Sequence, residues 1–487
     1  MKQTYLLESL LGETRLAVIE DGALCEMYVE RPDTQDVTGS IYLGRVENVL
    51  PGMNAAFVDI GLEKKGFLYA GDAMPDRPGT GGEMRIEAIV HPGQELAVQV
   101  MKAQSGQKGH RLTRDITLPG RLMALTPGTE HIGVSKKIAD PAERERLRKL
   151  IDRLRGADCM GAIVRTAAEG ATEDNLSGEW KRLIQQWSGI ARRASKATAP
   201  RLLFSNAALG LKCVRDMLNA DTQAVWVEGE ALYSEVRSAA ESLAPEWADR
   251  VILHEGSVPL FDLYRVDAQL DKALRKYVWL KSGGSLVIEE TEAMTVIDVN
   301  TGKFTGKRDL EETIFRLNCE AAEEIVRQLR LRDAGGIVVV DFIDMESPER
   351  CEALVERLRE LAKTDRNRLT VVGMTGLGLV ELTRKKARKS LSRQLTHTCS
   401  ACGGDGVTFS HETVARRVLR EIWKKRRQGA KNPMLVTANP FVAHRLKRIG
   451  APEGGTVYVI GDETVAPGEW EITPADEANL PEKCKRI

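Results

Sequence analysis

The chain has 487 residues, too many for a single core, so three or more domains are expected. Its 70 basic and 70 acidic residues cancel, which excludes a polyanion binder that works by bulk charge and makes any nucleic-acid site local. With 42% hydrophobic and 29% charged residues and no apolar run of spanning length, the composition is that of a water-soluble globular chain. The opening MKQTYLLESLLGETR lacks the basic-then-apolar order of a secretory signal. Six of the eight cysteines are scattered singly among apolar or helical neighbours, which reads as a reduced chain with a cytoplasmic address.

Residues 14–19 and 24–29 run apolar around Asp21-Gly22 and predict a β-hairpin within 1–36, which must pack against a later segment. Between Gly39 and Leu118, five short strand-like stretches with glycine punctuation suit a small OB barrel, and the Gly/Pro-rich residues 71–92 a loop inserted between its strands. Phe57 and Phe67, flanked by Lys64 and Lys65, are either barrel core or a base-stacking platform beside phosphate-binding charge.

Helical spacing returns from Pro119 to Gly210. Asp140 caps a helix running to Leu154, and a second helix carries Leu176, Trp180, Leu183, Trp187 and Ile190, its tryptophans read as core. Between them an apolar strand emerges at Arg165-Thr166. An arginine beside a hydroxyl can grip a terminal phosphate, although an ordinary exposed Arg-Thr has the same appearance. Residues 211–273 then alternate strand and helix signals, with 224–227 as strand and 232–243 as helix.

The stretch from Glu290 to Met345 holds two acidic strand tips, TVIDVN with Asp298 and Asn300, and IVVVDFID with Asp341 and Asp344. A helix lies between, capped by Asp309, carrying Ile314, Leu317, Ala321, Ile325 and Leu329, and closed by Gly335-Gly336. Such an α/β unit brings both carboxylates to one edge of a sheet, and paired hard oxygen ligands suit Mg²⁺; capping and salt bridging are the bland alternatives.

Downstream, 348–361 reads as a helix and 369–374 as a strand. Residues 381–393 read as a basic helix carrying Arg384, Lys385, Lys386, Arg388, Lys389 and Arg393, either a solvated face or a phosphate contact. Cys399 and Cys402, followed by glycines, have the shape of a zinc knuckle with only two of four ligands. His397 and His411 complete it, or a second chain does, or the pair is a redox CxxC. A small domain closes the chain, with 411–427 as an amphipathic helix.

IDVNTG, RQLRLRDAGGIVVVDFIDM and GLGLVELTRKK resemble the ribonuclease E/G family of bacterial endoribonucleases, and the likeness runs through most of the chain. The resemblance implies a multidomain α/β fold. Residues 1–36 and 211–273 would form an RNase H-like subdomain with two insertions: an S1-type OB barrel at 37–118 and a 5′-sensor subdomain at 119–210. A DNase I-like catalytic subdomain at 274–396, a zinc link at 397–407 and a small C-terminal α/β domain at 408–487 would follow.

It implies further that Asp298 and Asp341 hold a catalytic Mg²⁺ and that Asn300 orients the attack. Phe57, Phe67 and Lys108 would contact RNA. Arg165 and Thr166, with Gly120 and Ala124, would sense a 5′-monophosphate, supported by Arg368; Ala124 stands where valine is expected. Cys399 and Cys402 would share one Zn²⁺ between two subunits, giving a homodimer or a dimer of dimers. The implied activity is cleavage of single-stranded RNA, in ribosomal RNA 5′-end maturation and mRNA turnover, by a chain that lacks a long tail and carries no scaffold. Two rivals stand beside it: a non-catalytic RNA-binding protein in ribosome assembly or translation, and a two-metal exonuclease.

Overall fold

The computed structural model describes residues 2–31, 36–74, 85–104, 109–156, 159–206, 208–302, 310–386, 388–399, 402, 404, 406, 408–430, 433–451, 455–481 and 484–487. The chain divides into two compact units, Met1–Leu391 and Ser392–Ile487.

In the first unit the expected hairpin, Glu13–Glu20 with Ala23–Glu30, is one side of a five-stranded sheet. The sequence reading passed over its first strand, Gln3–Leu10, which pairs antiparallel with the hairpin and parallel with Thr222–Glu228. That late strand, with Val251–His254 and the helix Glu230–Leu243, supplies the packing that a lone hairpin lacks.

Ile41–Leu50, Ala55–Asp59, Gly66–Tyr69, His110–Thr113 and Glu95–Lys102 close into a five-stranded barrel, because the first also pairs with the last. Arg201–Phe204 adds to the outside of the first strand. The stretch expected as a plain loop does more than connect: Ala73, Ile86 and Val90 are wholly buried and help fill the barrel. Next comes a four-stranded sheet against the helices Pro141–Arg155 and Glu173–Ala194. Asp140 caps the first helix by accepting from the Ala142 amide, and Trp180 is core, 4% exposed.

A six-stranded sheet follows, in the order Tyr277–Trp279, Ser285–Glu290, Met294–Asn300, Gly336–Asp341, Leu379–Arg384, Leu369–Met374. The helices Leu310–Leu331 and Pro348–Ala362 bury its one face in a core of Ile297, Val299, Val338, Val340, Leu317, Ile325 and Leu358. Asp309 lies outside the described residues. The first of these helices is closed by Asp333 rather than by Gly335-Gly336. Asp333 takes the left-handed conformation, φ 48°, and the Ala334 amide reaches back to the Leu329 carbonyl. Gly335 has a different task, since a Cβ there would stand 2.9 Å from the Lys386 Cα.

Residues 381–393 do not form the expected basic helix. Their first part is the strand Leu379–Arg384, in which Val380, Leu382 and Arg384 alternate into the interior. Arg384, with its side chain 2% exposed, bridges Asp333 at 2.6 Å and Asp365 at 2.7 Å. Arg388 pairs with Asp333 and lies over the Tyr28 ring at 3.7 Å. These two arginines hold the fold, while Lys385, Lys386, Lys389 and Arg393 of the same run are exposed. A second buried cluster joins this sheet's helix to the N-terminal hairpin: Arg330 takes both oxygens of Glu20 and one of Glu26, each at 2.7 Å.

The second unit packs the helices His411–Arg427 and Pro440–Ile449 on a four-stranded sheet built around Met434–Ala438 and Val457–Gly461, as the sequence pattern suggests.

Arg384→Ala strips the counter-charge from buried Asp365 and leaves Asp333 with Arg388 alone, and is expected to cost about 3–5 kcal/mol. A urea titration reads this as a lower midpoint at unchanged slope. A variant as stable as the parent would return Arg384 to the role of a surface phosphate contact.

Candidate active site and RNA-contact residues

Along Met294–Asn300 burial alternates, so that Thr295, Ile297 and Val299 face the helices while Asp298 and Asn300 share the open face. Gly336–Asp341 alternates in the same sense and ends with Asp341 exposed. The two strands are parallel, and Asp298 and Asp341 are register partners. Their backbones are therefore about 4.8 Å apart, with both carboxylates on one face near the strand ends. Asn300 Nδ2 donates to Asp298 Oδ2 at 2.7 Å. Among the described residues no lysine or arginine pairs with either acid.

One positioning residue escaped the sequence reading. Asn318, wholly buried in the helix Leu310–Leu331, donates to the Ile343 carbonyl at 2.8 Å and accepts from its amide at 3.2 Å. It clamps the segment between Asp341 and Asp344. Its only trace in the sequence is a polar residue next to the apolar stripe at Leu317 and Ala321.

On the barrel, Phe57 and Phe67 are cross-strand partners with ring centroids 5.3 Å apart, and both are part-exposed, outside the barrel core. Their strands turn Val58 and Leu68 inward instead, so the alternative of two core phenylalanines does not hold. Tyr69, 42% exposed, extends the cluster at 4.6 Å from Phe67, and Arg111 lies over its ring at 5.3 Å. Lys65 is tied to Glu47. Lys108 lies outside the described residues.

The strand Gly161–Val164 delivers Arg165 to the rim of the four-stranded sheet. Its Nη1 donates to the Gly120 carbonyl at 2.8 Å and to Asp216 Oδ1 at 2.7 Å, leaving the outer edge of the guanidinium unengaged among the described residues. Thr166 shares a 3.0 Å hydroxyl contact with Ser135. Gly120 admits no side chain, because a Cβ would meet Glu179 Oε1 at 2.5 Å. Burial pushes the Glu179 carboxyl up even though the Leu122 and Arg121 amides donate to it. Ala124 is 8% exposed opposite Ile163.

Asp216 was not foreseen. Burial raises its carboxyl, but Arg215 and Arg165 outweigh burial and hold it below the ordinary aspartate range. Arg368 is exposed with φ 53°, and no hydrogen bond of its side chain reaches Arg165, Thr166 or Gly120 among the described residues. Arg366, two residues earlier, is the one that reaches toward this region, donating to Met217 O at 3.2 Å and Tyr5 OH at 2.6 Å.

In the second unit Cys399 is exposed, and Cys402 Sγ accepts from the Gly406 amide at 3.4 Å. Among the described residues no third histidine, cysteine or carboxylate joins the pair in a metal-binding group. His411 instead stacks on Phe441.

The sequence profile described as the Ribonuclease E/G family matches residues 117–387. Ribonuclease G of Escherichia coli (strain K12) is 40% identical over 444 residues, 90% of this chain and 90% of that protein. The chain belongs to the ribonuclease E/G family.

Ribonuclease G of Haemophilus influenzae is likewise 40% identical over 443 residues, covering 89% of this chain and 90% of its own length. Ribonuclease E of the same organism is 35% identical over 425 residues but is covered over only 45% of its length. The likeness is thus to ribonuclease G over nearly all of both chains. The protein is an endoribonuclease, a hydrolase that acts on RNA, and a non-catalytic RNA-binding role is set aside. The matched region contains Gly120, Ala124, Arg165, Thr166, Asp298, Asn300, Asp341 and Arg368, and leaves out Phe57, Phe67, Cys399 and Cys402. Among the described residues no helix is long and apolar enough to cross a membrane.

Proposed function

We propose that this endoribonuclease depends on Mg²⁺, cuts single-stranded RNA at the Asp298–Asp341 pair, and favours substrates with a 5′-monophosphate. The observation that carries the reading is the parallel register that sets these two acids side by side on an open sheet face, with no basic partner among the described residues. Two carboxylates, with no third acid or histidine grouped with them among the described residues, form the donor set of a hard cation that keeps waters and substrate oxygens in its remaining positions. Asp298 and Asp341 would hold the ion.

When bound, Mg²⁺ supplies charge neutralisation at the scissile phosphate and a more acidic water. Asn300, already hydrogen-bonded to Asp298, fixes that carboxylate and orients the phosphate or water by its amide. Water adds to phosphorus, the bond to the 3′-oxygen breaks and that oxygen leaves as a 3′-hydroxyl, taking up a proton in place of the one the attacking water gives up, and the downstream product keeps a 5′-phosphate. The 2′-hydroxyl takes no part.

Phe57 and Phe67 would hold the strand by stacking, together with Lys108. Arg165 and Thr166, beside Gly120 and Ala124 and with Arg368 in support, would hold the 5′-monophosphate, which raises the effective concentration of the cleavage region without changing the chemistry. Cys399 and Cys402 form half of a tetrahedral Zn²⁺ site, which a second chain would complete in a homodimer or a dimer of dimers. Ribosomal RNA precursors and mRNA in the cytoplasm are the proposed substrates, and the RNase H-like and DNase I-like subdomain assignments belong to the same reading.

Asp298→Asn should bind a short 5′-monophosphorylated RNA as the parent does, while discrete internal cuts fall on the order of 10³-fold, read on a gel. Undiminished cutting would remove Asp298 from the mechanism. Arg165→Ala should lose the advantage of monophosphorylated over hydroxyl-ended RNA and keep basal cutting; equal loss on both RNAs would count against a sensor. Cys399→Ala with Cys402→Ala should release zinc and sediment as a monomer, and an unchanged, fully active assembly would refute the shared site.

A further inference from the structure

The open face of the six-stranded sheet carries a feature that the acids do not explain. Its edge strand, Tyr277–Trp279, holds Tyr277 57% exposed and Trp279 74% exposed. Large aromatics at the edge of a sheet ordinarily pack onto a neighbour, and Val278 between them does pack into the core. The register says where the two rings stand. Tyr277 is opposite Val287, which is opposite Asp298, whose parallel partner is Asp341. Trp279 is opposite Ser285, which is opposite Asn300. Directly opposed residues share a face. Both rings therefore lie on the same face as the acid pair, with Asp298 and Asn300 two strands away, about 10 Å between backbones, and Asp341 on the next strand.

We propose that Tyr277 and Trp279 form a stacking platform for nucleobases of single-stranded RNA next to the scissile phosphate. This rests on the reading of Asp298 and Asp341 as the cleavage site. Charge argues for bases as the occupant. A face with two carboxylates repels phosphates except where a cation sits, so contact close to the cut must come from groups that do not depend on positive charge. Every base has a π-face, and stacking tolerates any sequence. Val287, between Tyr277 and Asp298, is only part-buried, so the surface from ring to acid is apolar. Lys276, its ammonium 6.0 Å from the Tyr277 ring and paired with Glu289, and the exposed Lys281 in the turn after Trp279, offer phosphate contacts at the outer rim. The platform differs from the Phe57–Phe67–Tyr69 cluster, which belongs to the barrel.

The test uses the full chain and a short single-stranded RNA, with cleavage, anisotropy of the labelled RNA and sedimentation measured together. Trp279→Ala should raise KM about fivefold or more with little change in kcat, and weaken RNA binding to the same extent in an Asp298→Asn background. Trp279→Phe should recover most of the loss. Tyr277→Ala should behave like Trp279→Ala, and sedimentation should not change. Unchanged KM and affinity in Trp279→Ala would overturn the platform even if Asp298→Asn is inactive. A change in sedimentation that accounts for the loss would also overturn it, assigning the face to contact between copies of the chain. If Asp298→Asn cuts normally, the acid-pair reading fails, and unchanged affinity in the anisotropy arm would then overturn the platform independently.

Discussion

The candidate site depends on one constraint, the parallel register between Met294–Asn300 and Gly336–Asp341. A strand has period two, so a slip of one residue would turn Asp341 toward the helices and Val340 toward water. What prevents the slip is the core on the other face: Ile297, Val299, Val338 and Val340 must all meet the helices Leu310–Leu331 and Pro348–Ala362. The acids are placed by the apolar residues that alternate with them. Asn318 extends this control past the strand end, because its buried carboxamide fixes the backbone at Ile343.

A few arginines serve the inside of the fold. Arg330 takes Glu20 and Glu26, Arg384 takes Asp333 and Asp365, and Arg388 takes Asp333 while covering Tyr28. A buried carboxylate without its cation is costly, so these clusters tie the six-stranded sheet to the N-terminal hairpin and permit little sliding between them. The RNA contacts proposed for this chain are small and local: aromatic clusters on the barrel and the sheet edge, and one arginine held by Asp216 and Gly120.

That arginine shows how neighbours convert a common residue into a shaped one. Arg165 alone is an exposed side chain after a strand. With Nη1 committed to a carbonyl and a carboxylate, its outer edge is unengaged among the described residues, as the proposed phosphate contact requires. Asp216 is in turn held by Arg215, itself hydrogen-bonded to Asn206, so the orientation is passed from the segment around Asn206 to the rim.

Local pattern was enough for the hairpin at Asp21-Gly22, the five barrel strands, the capped helix after Asp140 and the strand-helix-strand unit bearing Asp298, Asn300 and Asp341. In each of these, periodicity and turn chemistry act within some ten residues. The motifs also named the family. Pattern misled where a charged residue serves the interior: residues 381–393 look like a basic helix because their arginines have partners up to several hundred positions away, at Asp333, Asp365 and Met27. Tertiary structure alone decided that Phe57 and Phe67 face outward, that Asp298 and Asp341 are register partners, that Asp216 orients Arg165, and that Trp279 shares a face with the acids. Register and facing are set by what packs on the far side of a sheet, and no short stretch of sequence contains that information.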